Sequence, residues 1–378
     1  MRIVFFCHSV RSDWNNGHAH FLRGICTELQ SRGHDVGVCE PRDGWSVTNL
    51  IADAGAQAAD AYRAVYPTLR STCYDGTALD LDEVLQDAAL VVVHEWNSSD
   101  LIARIGAHRR ANRYTLLFHD THHKSATDPD ALSACDLAEY DGVLAYGGSV
   151  RERYLAAGWA RRVWVWHEAA DVRVFRPLAG EVRPESLVWI GNWGDEERTQ
   201  ELWEFLLAPV QTLRLHATVF GVRYPSDARA ALRLAGCSYE GWLPNFRVPA
   251  VFAQFPLTVH IPRRAYVRDL PGVPTIRPFE AMACGIPLVS APWHDVEGLF
   301  SVGKDFLMAR NQREMASCLR AVLCDRDLAD ELSSHGRQTI LSRHTCGHRV
   351  DELLHIHAQL QAPSGTPMPT GEAREKIS

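Results

Sequence analysis

Glu280 is the residue whose type and position best suit ligand chemistry in this sequence. It stands in the segment Arg277-Pro-Phe-Glu-Ala-Met-Ala-Cys-Gly-Ile-Pro287, early in a short helical pattern whose other face is apolar. Gly285 ends that helix, and Pro287 prevents its continuation. A carboxylate at the start of a helix beside a cleft can accept two hydrogen bonds from a vicinal diol such as a ribose. A carboxylate in this position can also serve only to complement the helix dipole.

Repeated strand–helix–strand units predict the framework that positions such residues. An apolar strand at residues 2–7, a helix at 18–32 and a second strand at 35–39 form the first unit. A new series starts with a buried strand at 187–190, which is followed by Gly191-Asn192-Trp193-Gly194. Units of this kind build parallel sheets, so the predicted fold class is α/β.

The predicted organisation is two α/β domains of similar size. A segment with two prolines and a glycine at about 176–185 is typical of a linker. We predict a first Rossmann-like domain at 1–178, a second at 179–345, a C-terminal helix at 346–361 and a disordered tail at 362–378. We expect the helix to pack back toward the first domain.

Composition disfavours several classes of protein. The chain has 39 Lys+Arg against 46 Asp+Glu, a net charge of −7, which argues against a nucleic-acid partner. It contains no apolar run of about 18 residues, and its start lacks the zones of a signal peptide, so we predict a cytoplasmic protein without a membrane span. Its ten cysteines include no Cys-x-x-Cys pair, which disfavours a disulfide scaffold and a structural zinc site.

Two facing doubly wound domains leave a cleft at the carboxyl ends of both sheets, where ligands bind. Helix N-termini point into such a cleft and favour anionic groups. We therefore expect a ligand that carries phosphate.

Four segments, in this order along the chain, resemble motifs of the GT-B glycosyltransferases, of which the family-4 enzymes are one group. Arg32-Gly-His-Asp-Val36 resembles the turn after the first helix, and Phe118-His-Asp120 the end of a strand in the first domain. Asp171-Val-Arg-Val-Phe-Arg-Pro177 resembles the crossing between domains, and the segment around Glu280 resembles the nucleotide-sugar motif. More narrowly, the CgeB/YkvP branch is similar at Ile190-Gly-Asn-Trp193, Glu197-Arg198 and Arg277-Pro-Phe-Glu280. The resemblance implies two Rossmann-like domains that face each other across a cleft.

The resemblance also implies that the second domain binds a nucleoside-diphosphate sugar. Glu280 would hold the ribose hydroxyls, and backbone N–H groups of Gly191 and Asn192 would approach the diphosphate. The remaining residues predicted for this donor site are Arg198, Trp242, Leu243, Arg263 and Arg277.

Several of these residues have a plainer alternative role. Arg198 would supply fixed charge against the diphosphate, or it is a solvated helix residue that pairs with Glu201 or Glu204. Trp242 would line the nucleobase slot, or it belongs to the core. Arg263 would compensate phosphate charge, or it is part of an exposed basic pair.

The first domain supplies the candidate catalytic residues His18, His119 and Asp120. Gly17, on the loop after the first strand, permits close approach of the backbone, and His18 beside it can act as a base or contact a sugar. His119 follows an apolar strand run and can contact the transferred sugar, with Asp120 orienting it. Each histidine can instead be a structural or solvated one.

One departure from the resemblance concerns the donor sugar. Retaining members often carry a second glutamate seven residues before Glu280, where this sequence has Val273. The sugar and the anomeric outcome therefore stay open.

The function we predict is transfer of a hexosyl-type unit from a nucleoside-diphosphate sugar to an unidentified acceptor, with no cofactor and no bound metal. One alternative is a sugar-nucleotide epimerase or hydrolase on the same fold. Another is a metal-dependent hydrolase that uses His119-Asp-Thr-His-His123, since three histidines and one aspartate are typical metal ligands.

Overall fold

The structure, a computed structural model, describes residues 1–76, 78–194 and 197–362. The predicted disordered tail at 362–378 lies outside these residues except for its first position. No helix within the described ranges is long and apolar enough to cross a membrane.

The first half of the described chain forms a parallel sheet of seven strands. These are β1 (Arg2–Phe6), β2 (Asp35–Pro41), β3 (Thr72–Tyr74), β4 (Ala88–His94), β5 (Thr115–Asp120), β6 (Gly142–Ala145) and β7 (Val163–Val165). Their order across the sheet is β3-β2-β1-β4-β5-β6-β7. This is the strand order of a doubly wound domain.

The second half forms a parallel sheet of six strands, counted over the described residues. These are β8 (Ser186–Ile190), β9 (His216–Phe220), β10 (Cys237–Gly241), β11 (Thr258–His260), β12 (Leu288–Ser290) and β13 (Leu307–Met308). Their order, β10-β9-β8-β11-β12-β13, repeats the plan of the first sheet. The predicted α/β class with two Rossmann-like domains is confirmed.

Helices cover the sheets. In the first half they are α1 (His18–Ser31), α2 (Trp45–Ala54), α3 (Leu81–Val84), α4 (Ser99–Ala111), α5 (Lys124–Thr127), α6 (Pro129–Ser133) and α7 (Gly148–Ala157). In the second half they are α8 (Thr199–Leu202), α9 (Ala208–Leu213), α10 (Ser226–Leu234), α11 (Val248–Phe252), α12 (Arg264–Arg268), α13 (Ile276–Cys284), α14 (Gln312–Cys324), α15 (Arg326–Arg343) and α16 (Cys346–Gln361). A π-helical turn, Trp203–Leu207, joins α8 to α9, and 3-10 helices occupy Ala56–Ala64 and Asn245–Arg247.

Both faces of the first sheet are buried. Ile3 and Phe5 pack into the core on one face, and Val4 and Phe6 pack into the core on the other. Because successive side chains of a strand alternate between faces, a sheet covered on both sides needs apolar residues at every position. This explains the uninterrupted apolar runs in the sequence.

The C-terminal helix α16 packs on the first domain. It contacts α1 and the strand β5. The Trp166 Nε1–H donates to the backbone oxygen of Arg349 at 2.8 Å, and the His357 Nδ1 lies 2.8 Å from the Thr115 hydroxyl. The chain therefore crosses between the domains twice, once before β8 and once before α16.

The structure adds elements that the sequence patterns did not predict. Residues 42–76 contain α2, a 3-10 helix and the edge strand β3. The strand β10 was also missed, because its sequence Cys-Ser-Tyr-Glu-Gly lacks an apolar run. Edge strands make ladder hydrogen bonds on one side only and need less apolar surface, so their sequences carry a weak signal.

Candidate active site

A cavity of about 640 Å³ lies between the carboxyl ends of the two sheets. Residues that follow β1 and β5 line it from the first domain, and residues that follow β8 and β11 line it from the second. The strand order reverses between β1 and β4 and between β8 and β11. Doubly wound sheets bind ligands at such reversal points, so the cavity is the candidate active site.

Nine of the twelve residues predicted for the site line this cavity. They are Gly17, His18, Gly191, Asn192, Arg198, Trp242, Leu243, Arg263 and Arg277. The other three, His119, Asp120 and Glu280, are at most 1% exposed and lie in the protein interior.

Glu280 takes part in a buried network instead of facing the cavity. Its Oε1 accepts from His20 Nδ1 at 2.8 Å and from Asn245 Nδ2 at 2.6 Å, and its Oε2 accepts from Arg277. Burial raises the pKa of this carboxyl, but Arg277, His20 and Asn245 outweigh burial and hold the pKa below its ordinary value. In this structure the donors that satisfy the Glu280 carboxylate are protein groups, and a ribose is not needed to satisfy it.

His20 in this network comes from the first domain. Its Nε2 accepts from the backbone N–H of Asp171 at 2.8 Å, so the proton is on Nδ1 and is donated to Glu280. Phe175 stacks on the ring with centroids 3.8 Å apart. The helix α13 is thus tied to α1 across the domain boundary.

Asp120 does not orient His119 in this structure. Consecutive residues of β5 point to opposite faces of the sheet. Asp120 Oδ2 accepts from Tyr154 on α7, and Oδ1 accepts from the backbone N–H of His122. Burial raises the pKa of Asp120 to about 6, since these donors compensate it only in part. The expected pairing of His119 with Asp120 is therefore wrong, and the sequence cluster 119–123 does not converge on one point.

Arg198 lines the cavity and is held in place by backbone oxygens. Its guanidinium donates to the backbone oxygens of Asn192, at 2.6 and 3.1 Å, and of Ile261, at 3.0 Å. Burial and the nearby Arg263 lower its pKa to about 9, so it stays cationic near neutral pH. The expected alternative, pairing with Glu201, is taken by Arg264, whose Nε lies 2.9 Å from Oε1 of that residue.

Two further arginines line the cavity, and each is paired with a carboxylate. Arg263 pairs with Glu197 at 2.8 Å, and Arg277 pairs with the buried Glu280. With Arg198 they give the wall of the second domain a net positive charge suited to a diphosphate.

Two helix N-termini meet at the same cavity. Gly17 and His18 begin α1, and Thr275 to Arg277 begin α13; all of them line the cavity. Neither N-cap residue, Gly17 or Thr275, caps its helix with a side-chain hydrogen bond. A Cβ on Gly17 would lie 3.0 Å from Cγ2 of Ile276, so the two helix starts approach closely. Converging N-termini attract anions through their dipoles and unpaired N–H groups.

The loops after β8 and β9 approach each other through glycines. A Cβ on Gly191 would lie 2.7 Å from Cζ2 of Trp189, and a Cβ on Gly221 would overlap the backbone oxygen of Gly191. The backbone N–H of Gly191 donates to Phe220 at 2.9 Å, so it extends the sheet. Asn192 bonds through its side chain to Asn15 of the first domain and to the N–H of Val222. In this structure the Gly191 amide donates within the sheet, and its expected role at a diphosphate stays a prediction.

An indole of the second domain also lines the cavity. Trp242 lines it, as Leu243 does, and the Trp242 Nε1–H donates to Asp13 Oδ1 at 3.0 Å. Asp13 Oδ2 accepts from Arg23 at 2.8 Å. The indole is thus held from the first domain, and its flat face suits a nucleobase.

His18 faces the cavity with a carboxylate behind it. Its Nδ1 lies 2.9 Å from Oε1 of Glu168, and both side chains are more than nine-tenths buried. A carboxylate in this position fixes the tautomer and the orientation of the imidazole. Sequence reasoning missed Glu168, for which the available signal was a carboxylate shortly after β7. It also missed Asp13 and Asn245.

Val273, at the position of the absent glutamate, packs against the first domain. A Cβ on Gly147 would collide with it, and it is 3% exposed. Nearby, Glu297 of the second domain accepts from the backbone N–H of Gly148 at 2.8 Å and lies 3.1 Å from His167 Nε2. This part of the interface closes the domains on each other.

Comparison with known proteins agrees with this geometry. Residues 198–355 match the model of a family described as glycosyl transferase-like. The chain is similar in structure to HepE from Anabaena in complex with UDP and glucose, with a TM-score of 0.68, 13% identity, and coverage of 95% of this chain and 100% of that one. The fold is GT-B.

Two other solved structures share this GT-B fold. Sucrose-phosphate synthase from Thermosynechococcus elongatus has a TM-score of 0.64 and 14% identity, over 95% of this chain and 99% of that one. An α-glucosyltransferase in complex with UDP has a TM-score of 0.68 and 11% identity, over 95% and 100%. No curated protein sequence is significantly similar to the chain. The family match in the second GT-B domain and the fold together support a transferase.

Proposed function

We propose that this GT-B protein transfers a sugar from a UDP-sugar to an acceptor that binds on the side of the first domain. The observation that carries the proposal is the convergence of Arg198, Arg263 and the N-termini of α1 and α13 on one cavity. UDP is the proposed leaving group because solved structures of the same fold, HepE and the α-glucosyltransferase, contain UDP.

The chemistry we propose is mainly electrostatic. As the bond between the anomeric carbon and the diphosphate breaks, negative charge grows on the diphosphate and positive charge grows on the sugar. Arg198, Arg263 and the two helix dipoles stabilise the departing diphosphate without rearranging. The donor site therefore needs no metal ion in this proposal. His18, held by Glu168, faces the cavity from the first domain and is the candidate to contact the sugar or the acceptor hydroxyl.

Trp242 would stack against the uracil, since it lines the same cavity as the arginines. Closure about the segment near 176–185 would exclude water, which otherwise hydrolyses the donor. The acceptor, the sugar, a cytoplasmic location and the finer resemblance to the CgeB/YkvP branch stay predictions.

The test is calorimetric titration of the full chain with UDP, GDP, ADP and dTDP, each with magnesium and with EDTA. We expect micromolar binding of UDP that EDTA does not change. Binding that needs magnesium would overturn the metal-free donor site, and failure of all four nucleotides to bind would overturn the donor assignment.

Arg264, next to Arg263 in the sequence, provides a matched control for variants of the two cavity arginines. Replacing Arg198 or Arg263 by Gln removes a charge from the cavity wall, whereas Arg264 pairs with Glu201 on the outer surface. Hydrogen bonds to charged groups are worth about 1.5–3 kcal/mol, so Arg198→Gln and Arg263→Gln should weaken UDP binding roughly tenfold or more. Arg264→Gln should bind UDP like the wild type. Equal effects of all three variants would contradict the site.

A second assay separates transfer from the epimerase and hydrolase alternative. The protein is incubated with UDP-glucose alone and with candidate acceptors, and the release of UDP is followed. Release that depends on an acceptor supports transfer, whereas rapid turnover of the donor alone supports the alternative.

A further inference from the structure

Three histidines from separate parts of the first domain meet beside the cavity. His18 begins α1, His94 ends β4, and His119 lies in β5. One ring nitrogen of each lies within 4.8 Å of the other two. His94 and His119 are direct neighbours because they are register partners in the pairing of β4 with β5. This cluster differs from the sequence cluster 119–123, of which it contains only the first residue.

The rings of His18 and His94 are stacked with centroids 4.7 Å apart, and each ring of the cluster has a nitrogen without a protein partner. Among the described residues, His18 Nε2, His94 Nδ1 and both nitrogens of His119 are buried without a hydrogen bond. A buried polar atom without a partner costs about 1–3 kcal/mol. A neutral imidazole carries a lone pair on one of its two nitrogens, so the cluster can present three lone pairs, one from each ring, to a single ligand.

Two of the three rings are oriented by groups behind them. His18 Nδ1 lies 2.9 Å from Oε1 of Glu168. His94 Nε2 lies 2.8 Å from the hydroxyl of Thr121 and 3.1 Å from Oε2 of Glu95. The Glu168 carboxylate accepts the proton of His18 Nδ1, which leaves His18 Nε2 with its lone pair, and His94 Nδ1 is the ring nitrogen of that residue without a partner. Histidines that bind metals are held by carboxylates or hydroxyls in this way.

The surroundings of the cluster keep the rings in place. His119 packs edge-on against Trp166 with centroids 4.8 Å apart, and Phe21 lies 6.1 Å from it. His94 and His119 are at most 2% exposed, whereas His18 also lines the cavity. The cluster is therefore closed on one side by aromatic rings and open toward the ligand site.

We propose that His18, His94 and His119 bind one divalent transition-metal ion, of which Zn²⁺ is the best fit. Three imidazoles with a fourth position open to a small molecule is a known arrangement for a functional zinc site. Zinc–nitrogen bonds of about 2.0–2.1 Å in a tetrahedral site would place the nitrogens roughly 3.3 Å apart, so binding would bring them closer by at most about 1.5 Å.

The proposed ion deepens the proposed function, on which this role of the site rests, because the cluster shares His18 with it; the arginines of the donor site belong to the second domain. The open position faces the cavity from the first domain, where an acceptor would bind. A hydroxyl or carboxylate of the acceptor is the class of ligand that would complete the coordination.

The test measures metal directly on the full chain, without an affinity tag. The protein is stripped with a chelator, exchanged into metal-free buffer and titrated with Zn²⁺, and bound zinc is counted by mass spectrometry. Titration with Co²⁺ gives the visible absorption of a low-coordinate site. We expect one equivalent of zinc and a saturable cobalt spectrum. Failure to retain zinc would overturn the proposal.

Glutamine variants locate the ligands. His94→Gln and His119→Gln should each weaken zinc binding at least tenfold and change the cobalt spectrum. His122→Gln and His123→Gln are the matched controls from the sequence cluster and should bind zinc like the wild type. Wild-type binding by His94→Gln and His119→Gln, or loss of binding only in the two controls, would contradict the site.

Folding and donor binding are checked separately. Circular dichroism confirms that each variant is folded, and UDP titration reports on the second domain. Zinc binding is measured in the absence of nucleotide, so the zinc result does not depend on whether the protein binds UDP. Normal zinc binding with no UDP binding would overturn the proposed function only.

Discussion

The buried Glu280 carboxylate offers the sharpest test of what the structure adds to the sequence. Three donors from three different elements surround it: His20 on α1, Asn245 in a 3-10 helix and Arg277 on α13. The side chain is 0% exposed. We predict that Glu280→Gln chiefly destabilises the fold, whereas the resemblance implied a loss of ribose binding.

The magnitude follows from the geometry of the network. Glutamine keeps the size of the side chain, but it removes the charge and turns an N–H₂ group toward one of the donors. Removing one partner of a buried pair costs about 3–5 kcal/mol. Arg277 is 17% exposed, so water compensates it in part, and we expect about 3 kcal/mol.

The assay is urea unfolding at pH 7, followed by tryptophan fluorescence and circular dichroism. Glu331→Gln, at an exposed position of α15, is the matched control and should be within about 0.5 kcal/mol of the wild type. UDP affinity is measured on the same proteins. Unchanged stability of Glu280→Gln together with a fall in UDP affinity would refute this reasoning and restore the ribose role.

Two further predictions concern the interface and the loops. The His167 ring and the Gly148 N–H outweigh burial and hold the pKa of Glu297 below its ordinary value. The stabilisation of the fold by Glu297 is therefore fully present above the ordinary pKa of a glutamate and is lost as the pH falls through the lowered pKa. Glu297→Gln should therefore cost about 1 kcal/mol at pH 7, and urea unfolding should show this difference shrinking toward pH 3. Gly221→Ala should weaken UDP binding in calorimetry, since a Cβ would overlap the backbone oxygen of Gly191. Gly37→Ala, whose Cβ would meet Val4 at an ordinary 3.5 Å, is its control, and equal affinities would contradict the steric argument.

The architecture could be predicted because its signals are local. Uninterrupted apolar runs such as residues 2–7 encode strands buried on both faces, and Gly285 with Pro287 encodes the end of α13, where Gly285 has a φ of 67°. These patterns depend on periodicity and backbone preference, which neighbouring residues set. The helix α2 and the strand β10 lack such patterns. They form because the rest of the structure gives α2 a surface to pack on and gives β10 the strand β9 to pair with.

The candidate site could be predicted in part. Residues on loops that directly follow strands, such as Gly17 and Arg198, line the cavity because parallel strands present their carboxyl ends at one edge. Glu280 could not be placed in this way, since its partner His20 is 260 positions away. Asp120 lies on the other face of the sheet from His119, which spacing along the sequence did not suggest.

The sequence by itself determined two doubly wound domains, a cleft between them and the arginines and helix starts that favour a diphosphate. These depend on local periodicity and on which loop follows which strand. Only the tertiary structure decided which polar groups satisfy one another across the cleft. It paired Glu280 with His20 and Glu168 with His18, and it brought His94 beside His119. A buried polar group takes the partner that packing brings within about 3 Å, and distance along the chain carries no information about that choice.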